Sequence, residues 1–232
     1  MQVRLVKTFY VEAAHINKRA EGIGAQLHGH SFKIEIAAFG EADPKFGWLV
    51  DYGEMKNGFQ PLYDQLDHHF LNEIEGLENG SLEDLRGWIK DRLTPVLPCL
   101  EDVLVSIVGD NTFWPVELDP DPKFGLPHRI RFTFEAAQSL PNLPEGHPCR
   151  RLHGHSYRIE VGADDIDKLM PRLRELYNRL DHRCLNDIPD LGEATSERLC
   201  SWIWDQLAGH SIGLRAVVVQ ETDTARCIYH GE

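Results

Sequence analysis

Apolar and polar residues alternate along VRLVKTFYVEAA (Val3–Ala14) and HSFKIEIAAFG (His30–Gly40). A period of two with β-branched and aromatic residues predicts strands. GEMKNGFQPLYDQLD (Gly53–Asp67) reads as a helix that stops at its Asp-His. Ser81 is placed to cap a second helix, with Leu82, Leu85, Ile89 and Leu93 on one face. VLVSIV (Val103–Val108) and LRAVVVQ (Leu214–Gln220) are continuous apolar runs and predict buried strands.

The same pattern returns in the second half of the chain. FYVEAAH (Phe9–His15) recurs as FTFEAAQ (Phe132–Gln138), and QLHGHSFKIEI (from Gln26) as RLHGHSYRIEV (from Arg151). QLDHHFLNEIEGLEN (from Gln65) recurs as RLDHRCLNDIPDLGE (from Arg179). SLEDLRGWIKDRL (from Ser81) recurs as TSERLCSWIWDQL (from Thr195), where Leu199, Trp202, Ile203 and Leu207 repeat the apolar face. DVLVSIVGDNT (from Asp102) recurs as RAVVVQETDT (from Arg215). Five blocks in one order define an internal duplication. Each half is expected to run strand, strand, helix, helix, strand, strand.

The Pro-, Asp- and Gly-rich stretch ELDPDPKFGLP (Glu117–Pro127) is the expected junction. This gives one domain over 1–118, a linker over 119–127 and a second domain over 128–232. The second copy has no counterpart of DPKFGWLVDY (Asp43–Tyr52), which predicts a hairpin edge present only in the first.

Composition narrows the partners. The chain has 232 residues and a net charge of −13 with His neutral, which opposes binding to phosphate backbones. A small anionic substrate remains compatible with a locally positive pocket. No apolar run approaches a membrane span, and the alternating N-terminus lacks the block design of a signal peptide. Five cysteines without framework spacing fit a reducing compartment, so the expected location is cytoplasmic.

The candidate chemistry lies in the repeated histidines. His28 and His30 are two apart on a strand, so both point to one face, and His15 ends the preceding strand. If the two strands pair, three imidazoles converge, as in a zinc site with an open fourth position. A single His-x-His pair is more often packing than ligand. The third histidine, and the repetition of its whole context, favour the metal.

EAAH, HGHS, LDHHFLN and a late strand ending in Glu-Thr together resemble the 6-pyruvoyl-tetrahydropterin synthase superfamily. PEGHPCRRLHGHSY, LDH-x-x-LNDIP and ETDTARCIYHGE bring the second half closest to its 6-carboxytetrahydropterin synthases of the queuosine pathway. The resemblance covers nearly the whole chain, twice. It implies an α+β tandem T-fold (tunnelling fold), each half an antiparallel four-stranded sheet with two helices on one face. It implies sites between neighbouring domains and a Zn2+ that polarises the side chain of a reduced pterin, with 7,8-dihydroneopterin triphosphate as the family substrate. Family members commonly assemble six domains, which a tandem chain reaches as a homotrimer.

The roles implied by the resemblance fall unevenly on the halves. The first keeps the metal ligands His15, His28 and His30 and the proton-relay pair Asp67–His68. It has Gly24 where the proton-accepting cysteine belongs and Gly109 where the ring-anchoring glutamate belongs. The second keeps Cys149, Asp181–His182 and Glu221, but Gln138 replaces the first ligand, leaving His153 and His155 as a weaker metal pair. His147 or Cys149 could complete that pair. Arg150, Arg151 and His147 are expected to favour a Cys149 thiolate. Glu21 and Asp110 neighbour the missing groups but read as a solvated loop residue and a side chain on the opposite strand face.

Three functions follow: a composite enzyme in which one half completes the other's site, an enzyme with a variant pterin reaction, or a catalytically impaired protein that binds a pterin or purine. A Cys-His hydrolase built on Cys149 lacks an oxyanion-hole signature.

Overall fold

A computed structural model describes residues 1–231. In the first half, strands β1 (Gln2–His15), β2 (His28–Glu41) and β3 (Leu100–Ile107) form an antiparallel sheet in that order. Helices α1 (Tyr52–Leu66) and α2 (Leu82–Leu93) lie between β2 and β3 in sequence. The second half contributes β4 (Val116–Leu118), β5 (Arg129–Gln138), β6 (His153–Ala163), α3 (Ile166–Leu180), β7 (Arg183–Cys184), α4 (Ser196–Ala208), β8 (Leu214–Thr222) and β9 (Ala225–Tyr229). Its sheet runs β4-β5-β6-β8-β9, with β7 parallel to β5. The class is α+β.

The period of two decides which face is dry. Phe32, Ile34 and Ile36 of β2 pack with Met55, Phe59, Leu85, Trp88 and Ile89 from the two helices. Phe132, Phe134 and Ile159 pack in the same way with Leu169, Leu173, Leu199, Trp202 and Ile203. Ser81 Oγ accepts from Asp84 N and caps α2, and Thr195 does the same for α4 through Arg198 N. Leu82, assigned above to the apolar face of α2, is exposed, and Trp88 fills the core instead.

The first sheet has three strands where four were expected. After β3 the chain leaves: Asp110 N donates to Thr133 Oγ1 of the second half at 2.9 Å, Phe113 joins the second core, and β4 pairs with β5. The segment that would add a fourth strand therefore extends the other sheet. In consequence β3 is an edge rather than a buried strand, with Val103 buried but Leu104 52% exposed. Asp43–Tyr52 is likewise no hairpin strand; Asp43 N donates to Trp48 O across a tight turn. Residues 119–127 include an ordered turn in which Asp121 and Leu126 exchange backbone hydrogen bonds, and Leu126 packs on Ala216 and Val218.

The halves meet at their His-Gly-His segments. A Cβ added at Gly154 would overlap the Gly29 backbone, so only glycine permits this approach. Beside it, Ser31 N donates to Ser156 Oγ at 3.1 Å and Ser156 N to Ser31 Oγ at 3.2 Å. Among the described residues no helix is long and apolar enough to cross a membrane.

Candidate metal centre and its mirror site

Antiparallel register brings the three histidines together. His15 is the Cα partner of His28, and Ala13 that of His30, so His15, His28 and His30 share one face. All three are buried, and one ring nitrogen from each lies within 4.8 Å of the others. Every Nδ1 has an acceptor behind it: Gly80 O for His15 at 2.5 Å, Gln26 O for His28 at 2.8 Å, and Glu135 Oε2 for His30 at 2.6 Å. Donation from Nδ1 fixes the tautomer and leaves each Nε2 lone pair free. Burial and the neighbouring imidazoles push His15 down to about 3 and His28 to about 2; burial and then His182 push His30 to about 3. The cluster is therefore neutral near pH 7, as a divalent metal requires. This donor set fits zinc.

The second half supplies the next residues. His182 lies against His28 with ring centroids 4.3 Å apart and the ring planes tilted by 40°. Its Nδ1 meets Asp181 Oδ2 at 2.7 Å, and Asp181 Oδ1 accepts from Glu135 N at 3.0 Å. His182 adopts φ 53°, a left-handed conformation uncommon for histidine, held by its own N donating to Glu135 O. Asp67–His68 repeats this arrangement at the other interface: His68 has φ 55°, meets Asp67 Oδ2 at 2.8 Å, and lies 4.5 Å from His153 by ring centroid. Each Asp–His pair thus serves the opposite half's histidines. For Asp67, burial opposes ionisation, but bonds from His68 and Glu12 N hold the carboxyl below its ordinary value.

The mirror site is built differently. Gln138 pairs with His153 across β5 and β6, and its Oε1 accepts from Tyr157 OH at 2.6 Å. The amide nitrogen therefore faces His153 Nε2 at 3.4 Å and Glu221 Oε1 at 3.3 Å. His155 Nδ1 meets Glu12 Oε2 at 2.9 Å; burial lowers its pKa, but Glu12 outweighs that and raises it overall. Tyr10, Glu12, Ser31, Ser156, Arg158 and Glu221 help line a cavity of about 240 Å³ between the halves. Cys149 lies with His68 and His153. Its thiol is not the thiolate expected from neighbouring arginines: burial, then Glu221 and Asp67, push it up, and Arg151 opposes them only weakly. Arg151 instead donates to His68 O at 2.7 Å.

The sequence profile described as 6-pyruvoyl tetrahydropterin synthase matches residues 4–111 and again 128–232. The chain belongs to the 6-pyruvoyl tetrahydropterin synthase family. A 6-carboxy-5,6,7,8-tetrahydropterin synthase of Synechocystis sp. is 40% identical over 115 residues, covering 42% of this chain and 88% of the relative. A dihydroneopterin monophosphate aldolase of Pyrococcus furiosus is 33% identical over 98 residues, covering 42% of this chain and 81% of the relative. The structure of Caenorhabditis elegans 6-pyruvoyl tetrahydropterin synthase aligns with a TM-score of 0.42 and 19% identity, over 47% of this chain and 90% of that one. The two sequence relatives are each about the length of one half, so a tandem arrangement departs from these single-unit members of the family.

Within this family frame, two carboxylates escaped the sequence reading. Glu135 comes from the second half's FTFEAAQ, accepts from Ser156 Oγ at 2.6 Å, and reaches His30 of the first half. It is fully buried, and burial pushes it up to about 8. Its Oε1 has no hydrogen-bond partner and occupies the space a side chain at Gly109 would need. Glu12 mirrors it, accepting from Ser31 Oγ at 2.6 Å and meeting His155. The visible cue was their identical place in the two repeats. Nothing local marks a strand glutamate as the partner of a histidine on another sheet. Glu21, weighed as a replacement base, is an exposed residue at the start of the 22–25 turn.

Proposed function

We propose that this chain is a zinc-dependent tetrahydropterin synthase-like enzyme acting on 7,8-dihydroneopterin triphosphate or a related pterin, most like the 6-carboxytetrahydropterin synthases. The observation that carries the reading is the convergence of His15, His28 and His30 with His182 from the other half. When bound there, zinc would polarise the pterin side chain as a Lewis acid. His182 would move the proton: Asp181 holds Nδ1, and Nε2 is left to take or give it. Gly80 O, Gln26 O and Glu135 orient the three ligands.

At the mirror interface, Cys149, Asp67 and His68 are the inherited proton-transfer set and Glu221 the inherited ring anchor. Gln138 deprives His153 and His155 of the third imidazole that the first centre has in His15. This favours a second reading for the mirror interface: it binds a pterin in the cavity at Glu221 and does not turn it over. The free cysteines support a cytoplasmic enzyme, and the family's assembly supports a homotrimer.

The test is turnover. The zinc-loaded 232-residue chain is incubated with 7,8-dihydroneopterin triphosphate and the pterins are separated, alongside His28→Ala, His182→Ala and Cys149→Ala. Product that disappears in His28→Ala and His182→Ala but survives Cys149→Ala places the chemistry at the first interface. Pterin binding without product would leave only the binding reading.

A further inference from the structure

The mirror site holds a cluster that the duplicated motif does not anticipate. His68 of the first half and Cys149 and His153 of the second present ligand atoms within 4.8 Å of one another. His155, the ligand expected from the repeat, is outside this group. The local hydrogen bonds explain the exclusion. Tyr157 fixes Gln138 so that its amide N–H groups, not its oxygen, face His153 and Glu221. Donor hydrogens aimed at the place of the lost third ligand repel a cation there.

Toward His68 and Cys149 the groups suit a cation, which would take the single His153 Nε2 lone pair in place of the long 3.4 Å contact with Gln138. His68 Nδ1 is held by Asp67 Oδ2 at 2.8 Å and His153 Nδ1 by Arg151 O at 2.8 Å, so each presents Nε2. Cys149 lies within a short turn, Pro148–Arg150, where its N–H donates to His147 Nδ1 at 3.2 Å. The carboxylates of Asp67 and Glu221 add negative charge nearby, and Arg151 is turned toward the His68 carbonyl. Two imidazoles and one sulfur whose ligand atoms lie within 4.8 Å of one another are a zinc-type donor set with one position open.

We infer that the mirror site is a second metal centre, in which His68, Cys149 and His153 bind a divalent zinc-like ion across the two halves. On binding, the Cys149 thiol loses its proton to solvent and its sulfur becomes a ligand. It is then unavailable as a proton acceptor, and the metal ties the halves together where the first centre does not. This stands apart from the turnover proposed at the first interface.

Cobalt(II) substitution of the full chain tests it, because a thiolate ligand gives a sulfur-to-cobalt charge-transfer band that the all-histidine centre cannot. The expected result is two cobalt ions per chain and a charge-transfer band. That band is lost in Cys149→Ser and His68→Asn but kept in His28→Asn and His155→Gln. Zinc should also shield Cys149 of the unmodified chain from alkylation, read by peptide mass mapping, which requires no variant to fold. Absence of the band, its survival in Cys149→Ser, or equal alkylation with and without zinc would overturn the inference.

Discussion

Glu135 of the second half holds Nδ1 of His30 in the first at 2.6 Å. A carboxyl oxygen behind an imidazole proposed to bind zinc fixes that ring's orientation, so the first centre is not the property of one half. Glu135→Gln should weaken zinc binding at the His15–His28–His30 centre about 10- to 100-fold. Competition with a chromophoric chelator measures it, and unchanged affinity would reduce Glu135 to packing.

Gly24 has room for the missing thiol. A Cβ built there meets only Ala20 Cβ, at 3.4 Å, and the residue does not need the left-handed region. Gly24→Cys should therefore fold normally and, on the reading above, raise turnover. A positioned proton acceptor contributes about 100- to 10,000-fold. Gly24→Ser, with a much weaker acid-base group, should give little of this.

Gly109 cannot be repaired in the same way. Its side-chain space is taken by Glu135 Oε1, so Gly109→Glu would press a second carboxylate onto a buried first. It should cost about 1–3 kcal/mol from overpacking alone, before charge repulsion. Denaturant melts should show the loss, and adding Glu135→Ala should relieve part of it.

How much of this was legible beforehand can be read from these positions. The repeat exposed His15, His28 and His30, and strand periodicity put them on one face. It also exposed Gly24, Gly109 and Gln138 as gaps. What it could not give was which half completes which site. That depends on packing between sheets through Gly29 and Gly154, and no periodicity encodes contacts across a surface. The three-stranded first sheet was hidden for the same reason: the Pro- and Gly-rich junction put residues 110–118 with the first domain, but β4 pairs with β5 of the second sheet. Cys149 misled because nearby arginines were counted along the chain, whereas Glu221 and Asp67 approach it through space.

The metal-free chain should be acid-sensitive well above the usual carboxylate range. His15, His28, His30 and His153 are pushed down to about 2–3 from an ordinary 6.5. The unfolded chain takes up protons that the folded chain refuses. Their contribution is present above pH 6.5 and is lost as pH falls toward 3, at up to about 1.4 kcal/mol per pH unit for each histidine. Thermal melts of the metal-free chain across this window check it. Replacing His15, His28 and His30 together by Asn should flatten the slope.

The close approach of Gly29 and Gly154 should tolerate no methyl group. Gly154→Ala places a carbon against opposing backbone, which cannot rotate away. We expect a loss of about 1–3 kcal/mol or more and uncoupling of the two halves in a calorimetric scan. An unchanged single transition would contradict the packing described.

The chain that leaves β3 and joins the second sheet through β4 makes the two halves one covalent object. In a dimer of identical subunits, both interfaces are encoded by one stretch of gene, and any residue lost from one is lost from both. Fusion removes that constraint. Each interface draws its histidines from one copy and its Asp–His pair from the other, so the two can drift apart without either becoming an orphan. A tandem gene of this kind can trade two equal workplaces for two specialised ones, fixed at one of each per molecule.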